Sequence, residues 1–166
     1  MKTLYIVRHA KSSWEDPELN DIDRPLLDKG VKKTSRVKDF LKTKKLKVDL
    51  IISSPAARAY ETAKLYAPTF GYDPAKIVIN ENVYESSTDS LMNILFELDN
   101  DINSVMIVGH NPTFTDFANN FLDTKIDWLP TSGIVCVKFH TKKWQKISLT
   151  KKSTSFFVYP GMLKKK

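Results

Sequence analysis

Short apolar runs alternate with amphipathic stretches along this chain. Leu4-Tyr5-Ile6-Val7 is continuously apolar, as expected of a first strand buried on both faces. Residues from Lys11 to about Pro25 are polar and rich in Asp, Glu and Pro, and read as a loop. From about Asp28 to Lys44, Val31, Val37, Phe40 and Leu41 recur at helical spacing. Asp49-Leu50-Ile51-Ile52 is a second strand, followed by Ser53-Ser54-Pro55, where Ser54 is placed to cap a helix with Pro55 at its first position. That helix is expected to run to about Thr69, with Gly71 and Pro74 marking its end. Lys76 to Ile79 reads as a short third strand. Leu91, Ile94, Leu95 and Leu98 share one face of a helix from Ser87 to Leu98. Ser104 to Val108 is a fourth strand, and Pro112 to Leu122 a helix carrying Phe114, Phe117, Ala118 and Phe121. Ile134 to Phe139 and Trp144 to Leu149 read as two closing strands around a turn at Thr141-Lys142-Lys143.

Strands alternating with helices imply a largely parallel sheet covered on both faces, and a closing hairpin would add an antiparallel edge. The fold class is therefore α/β, a three-layer α/β/α sandwich. No repeat, low-complexity tract or Gly/Ser-rich linker divides the chain. With 166 residues it reads as one domain, 1–166.

Composition narrows the setting. Only four apolar residues separate Thr3 from Arg8, too few for a signal-peptide core, and no apolar run approaches the roughly 20 residues of a membrane span. A cytoplasmic protein without a membrane partner is the expectation. Cys136, the single cysteine, sits in Ile134-Val135-Cys136-Val137 and reads as a buried small hydrophobe. The net charge of +7 comes mostly from lysine, with dense clusters at 42–47 and 164–166. Such runs read first as solvated faces or chain ends; attraction of an acidic or phosphorylated partner is the second reading. No nucleic-acid module or aromatic-interleaved basic motif is present, so nucleic acid is not an expected partner.

Arginine is used differently from lysine. Of 26 basic residues only Arg8, Arg24, Arg36 and Arg58 are arginines. Arg36 falls inside a helical pattern and reads as a surface residue. The other three sit beside turn signals or strand ends, where a planar guanidinium fork can bind phosphate bidentately. Two of the three histidines also end strands, His9 directly after Arg8 and His110 after Gly109. In open α/β sheets, ligands bind at the carboxyl ends of strands. A neutral imidazole is a nucleophile, and attack on phosphorus requires cations around the phosphoryl oxygens. Arg8 and Arg58 are such cations, the latter in the first turn of a helix whose N-terminus adds N–H donors. His110 is placed to donate to the same oxygens, and Arg24 to close the ring from the loop.

At these residues the chain resembles the histidine phosphatase, or phosphoglycerate mutase-like, superfamily. Val7-Arg8-His9-Ala10 is similar to its first signature, and 53–63, from Ser53-Ser54 through Arg58-Ala59 to Thr62-Ala63, to its S-S-x-x-x-R-A-x-x-T-A block. Gly109-His110-Asn111-Pro112 resembles the second-histidine block. Asp21-Ile22-Asp23-Arg24-Pro25-Leu26 with Gly30, and Pro130-Thr131-Ser132-Gly133, narrow the resemblance to the small SixA-type phosphohistidine phosphatases. The match runs in order from Lys2 to about Phe139. It implies that His9 is the nucleophile, forming a phosphohistidine intermediate that water hydrolyses. It also implies that Arg8, Arg24, Arg58 and His110 bind the phosphoryl oxygens, and that no metal or other cofactor is used.

A general acid is not assigned by the motifs. Glu85, after Tyr84, is the first candidate, with Glu81, Glu15 and Asp16 behind it. A phosphohistidine substrate lessens the need for one, because an imidazole leaving group takes its proton from water near neutral pH. His9 to Arg58 and Arg58 to His110 span only 49 and 52 positions, nearly filled by the elements assigned above. That leaves little chain for a helical cap, and an open site suits phosphohistidine on another protein. The alternative is a small-molecule phosphomonoesterase of the same chemistry. Cys136 argues against a cysteine-dependent phosphatase, since the residue six positions after it is Lys142 rather than arginine. A non-catalytic phosphate-binding module and a basic nucleic-acid binder are the remaining classes: the full set His9, Arg8, Arg58 and His110 argues against the first, and the second predicts binding that weakens steeply with salt and is indifferent to His9→Ala.

Overall fold

The computed structural model describes residues 1–163; the lysine cluster at 164–166 lies outside the described residues. Six strands form one mixed sheet: β1 (Lys2–Arg8), β2 (Leu50–Ser53), β3 (Val78–Ile79), β4 (Ser104–Gly109), β5 (Ile134–Phe139) and β6 (Lys152–Val158). Their spatial order is β3-β2-β4-β1-β5-β6. The β1–β4, β2–β4 and β2–β3 pairs are parallel, while β5 runs antiparallel to both β1 and β6. Four helices accompany the sheet: α1 (Asp28–Lys42), α2 (Ala57–Tyr66), α3 (Thr88–Phe96) and α4 (Thr113–Asn119).

Side chains alternate across a strand, and β1 shows the consequence. Leu4 and Ile6 face a core shared with α3 and α4, which supply Leu91, Leu95, Phe114 and Phe117. Tyr5 and Val7 face the opposite core, filled by Val37 and Leu41 of α1 and Ala59, Ala63 and Tyr66 of α2. Helices on both faces make the three-layer α/β/α sandwich expected from the alternation of elements. Cys136 lies in the second core, 1% exposed, and Arg36 is exposed on α1.

Three details differ from the sequence reading. Residues 144–149 are not a strand: Trp144–Lys146 is a 3-10 turn, and the last strand is β6. Trp144 is apolar because it is buried in the α3/α4 core, with its indole Nε1–H donating to Ile102 O at 2.7 Å. β6 is an edge strand whose first half, Lys152-Ser153-Thr154-Ser155, is polar and largely exposed, so hydropathy does not mark it. The second helix begins at Ala57 and ends at Tyr66, and a 3-10 turn over Ala67–Phe70 replaces its expected last turn. Ser54 is not its N-cap, a place taken by Ala56; the Ser54 hydroxyl accepts from Ala56 N–H at 3.1 Å in the preceding turn.

Candidate active site

The site is assembled at the carboxyl end of the central strand pair. Arg8 of β1 is in register with Gly109 of β4, so the next residue of each strand, His9 and His110, leaves the sheet side by side. Their ring centroids are 5.2 Å apart. Arg58 enters from the first turn of α2, and Arg24 from the loop before α1. All five line one cleft of about 440 Å³, together with Ser12, Trp14, Asp21, Asn111 and Thr131.

The loop after His9 is fixed at close range. Ala10 N–H donates to Thr62 Oγ1 of α2 at 2.8 Å. On α1, a Cβ at Gly30 would lie 2.4 Å from Lys11 O, so only glycine lets the helix approach this backbone. Ser132, at a left-handed φ of 61°, donates its N–H to the carbonyls of Arg8 and His9, both at 3.1 Å. Its hydroxyl lies 2.7 Å from Thr34 Oγ1 of α1, and its carbonyl accepts from buried Tyr66 Oη at 2.6 Å.

His9 is 8% exposed, and its Nδ1 is 2.7 Å from Ala10 O. A carbonyl can only accept, so Nδ1 carries the hydrogen and Nε2 keeps its lone pair. Burial pushes the His9 pKa down to about 4; the Ala10 bond opposes this, while Arg58, Arg8 and Arg24 reinforce it. His110 is likewise held down, to about 3, by burial and then by His9 and Arg58. Both imidazoles are therefore neutral at pH 7. His110 Nε2 lies 2.8 Å from Ser54 Oγ.

The arginines are constrained by neighbours. Arg24 is 7% exposed and donates from Nε to Ser13 O at 2.9 Å and from Nη2 to Ser12 Oγ at 2.7 Å. Its guanidinium lies over the exposed Trp14 ring, 3.1 Å from the centroid. Arg8 donates from Nη1 to Leu129 O at 3.2 Å and stacks over Trp128. Asp21, which the motif around Arg24 contains but gives no role, joins the others. Its carboxylate accepts from Arg24 Nη1 at 2.8 Å, Arg58 Nη2 at 2.9 Å and Tyr84 Oη at 2.6 Å. Burial raises its pKa, but the bonds from Tyr84, Arg24 and Arg58 outweigh that and hold it well below the usual carboxylate range.

Two buried polar atoms, Arg8 Nε and His110 Nδ1, have no hydrogen-bond partner among the described residues. Glu85 stands apart. It is exposed, at a left-handed φ of 52°, and lines an adjoining hollow of about 230 Å³ with Tyr84, Asp21, Arg58 and His110. Glu81, Glu15 and Asp16 do not line the cleft. Among the described residues, no group of three or more His, Cys, Asp and Glu side chains is arranged to hold a metal, and no helix is long and apolar enough to cross a membrane.

Residues 4–101 match the model of the histidine phosphatase superfamily (branch 1). The chain belongs to that superfamily. As a histidine phosphatase it shares its whole fold with solved SixA structures. The protein histidine phosphatase SixA complexed with tungstate superposes with a TM-score of 0.81 at 18% identity, over 98% of this chain and 99% of that one. A candidate phosphohistidine phosphatase SixA from Agrobacterium tumefaciens gives 0.79 at 26% identity, over 96% and 98%. A curated relative from Hydrogenobacter thermophilus, provisionally named phosphoserine phosphatase 2, is 37% identical over 90 residues, 52% of this chain and 41% of its own length.

Proposed function

We propose that this histidine phosphatase is a metal-independent phosphohistidine phosphatase acting on protein, with a single domain and no helical cap. The observation that carries the reading is the Nδ1–Ala10 O bond of His9, which fixes the tautomer that leaves Nε2 as a nucleophile beside three arginines. In the first step the Nε2 lone pair attacks phosphorus. The Nε2–P bond forms as the P–N bond to the substrate imidazole breaks, and the departing nitrogen takes a proton from water. Arg8, Arg24, Arg58 and His110 hold the phosphoryl oxygens, supplying the charge stabilisation that phosphoryl transfer demands. In the second step a water oxygen attacks phosphorus, the Nε2–P bond breaks, and inorganic phosphate leaves with the neutral imidazole restored.

Two things support a protein substrate. One is the likeness to the Agrobacterium protein, 26% identical and named for phosphohistidine. The other is the open, arginine-lined cleft, flanked by exposed Trp14 and Trp128. The name of the Hydrogenobacter relative favours small phosphoesters as the second reading.

The test is to quench turnover of a chemically phosphorylated histidine peptide in alkali and locate the enzyme-bound phosphoryl group by mass spectrometry. Phosphate on His9, and loss of turnover in a folded His9→Ala variant, is the expected result. Label on another residue, or wild-type activity in that variant, overturns the mechanism. Turnover of phosphoserine with none of the peptide selects the second reading.

A further inference from the structure

A second hollow shares a wall with the cleft. Lys29, Lys33 and Arg36 of α1, with Pro130, Thr131, Tyr159, Pro160 and Gly161, line a groove of about 560 Å³. Thr131 belongs to both hollows. The three cations stand at i, i+4 and i+7, which places them on one helix face. Lys29 and Arg36 are exposed, and none of the lining residues is acidic.

The shared wall is a fixed part of the fold. Ser132, next to Thr131, is bonded to the carbonyls of Arg8 and His9, to Thr34 of α1 and to Tyr66 of α2. A ligand in the groove is thus held in a set position relative to the nucleophile. Lys29 and Arg36 are seven residues apart, a rise of about 10 Å along a helix, and roughly three residues of extended chain span the same distance. A substrate reaches this groove only if it continues past Thr131, as a polypeptide does.

We propose that the groove docks an acidic segment of the phosphoprotein substrate, pairing Asp and Glu side chains near the phosphorylated residue with Lys29 and Arg36. This rests on the phosphohistidine reading above and adds the recognition element that reading lacks. Opposite charge across such a surface acts on encounter rate and on the choice of partner.

Three substrates separate the possibilities: a phosphohistidine peptide flanked by Asp and Glu, the same peptide flanked by Ser and Gly, and p-nitrophenyl phosphate. They are assayed with the full chain and with a Lys29→Glu/Arg36→Glu double variant. Wild type is expected to favour the acidic peptide in kcat/KM by about tenfold or more at low salt, with the preference shrinking as salt rises. The double variant should lose that preference while the neutral peptide and p-nitrophenyl phosphate stay within about twofold, since neither engages the groove. Equal rates on the two peptides in wild type, or an equal loss on all three substrates in the variant, overturns the docking groove alone. Turnover of p-nitrophenyl phosphate with neither peptide overturns both the groove and the phosphohistidine reading.

Discussion

Asp21 grips Arg58 twice: its carboxylate accepts from Nη2 at 2.9 Å and its backbone carbonyl accepts from Nη1 at 2.7 Å. The same carboxylate bonds Arg24, so one anion sets the spacing of two cleft arginines. With its pKa held low, Asp21 is ionised and serves as a positioning residue rather than an acid. Asp21→Ala should raise KM for p-nitrophenyl phosphate by about tenfold, one charge-assisted bond's worth, with a smaller change in kcat. A loss confined to kcat would contradict a positioning role.

The two active-site imidazoles should titrate together and late. Their pKa values are lowered to about 4 and about 3, against an ordinary value of 6.5. NMR titration of the free protein should therefore show His9 and His110 neutral at pH 6, with midpoints well below 6.5. The sign for stability follows from linkage. Between those low pKa values and 6.5 the unfolded chain binds more protons than the native one, so stability falls as pH drops through that window. Urea midpoints at pH 7 and pH 5 check this, with the lower value expected at pH 5.

Gly30 is a packing constraint on the loop after His9, because a Cβ there would meet Lys11 backbone rather than a flexible side chain. Gly30→Ala should destabilise the fold by about 1–3 kcal/mol, as forced overpacking does, and lower turnover as the loop after His9 shifts. Thermal melts alongside a phosphatase assay read both effects. Unchanged melting and activity would mean α1 moves away at no cost.

Trp14 is 77% exposed, yet its ring supports the Arg24 guanidinium. A cation–π contact at an exposed site contributes roughly 0.5–1 kcal/mol, so Trp14→Ala should weaken vanadate binding by about two- to fivefold without changing the fold. Inhibition constants and circular dichroism measure the two parts.

Glu85 lines the neighbouring hollow and is not needed for an imidazole leaving group. Glu85→Gln should leave phosphohistidine-peptide turnover within about twofold, whereas loss of a true general acid costs 10²-fold or more. Rates on the peptide and on an alkyl phosphate, compared in the same variant, decide whether Glu85 serves ester substrates.

Much of this site was legible in the chain because strand ends and rare residues carry position. His9 and His110 end buried apolar runs, and three of four arginines sit at turns, so their convergence follows from a parallel sheet. Asp21 was not legible. It is one of several acids in a polar loop, and only folding brings it against Arg58, 37 positions away. Ser-Pro before a helix predicts a cap at Ser54, but its hydroxyl lies against His110 Nε2 instead. The last strand was misplaced for a related reason. Trp144 and Ile147 are apolar to fill a core, whereas an edge strand such as β6 needs backbone partners on one side and tolerates polar side chains.

The β1–β4 pairing has a consequence for how the enzyme comes into being. His9 is made near the start of the chain and His110 about a hundred residues later, and only the six-rung register from Thr3–Ser104 to Arg8–Gly109 sets them abreast. A slip of one residue would turn every β1 side chain to the opposite face and carry His9 out of line with His110. His9 therefore remains apart from His110 until this long-range pairing at the centre of the sheet has closed in register. Recovery of phosphatase activity during refolding is a clock for that closure, and fragments ending before β4 should possess the arginines of the cleft yet no catalysis.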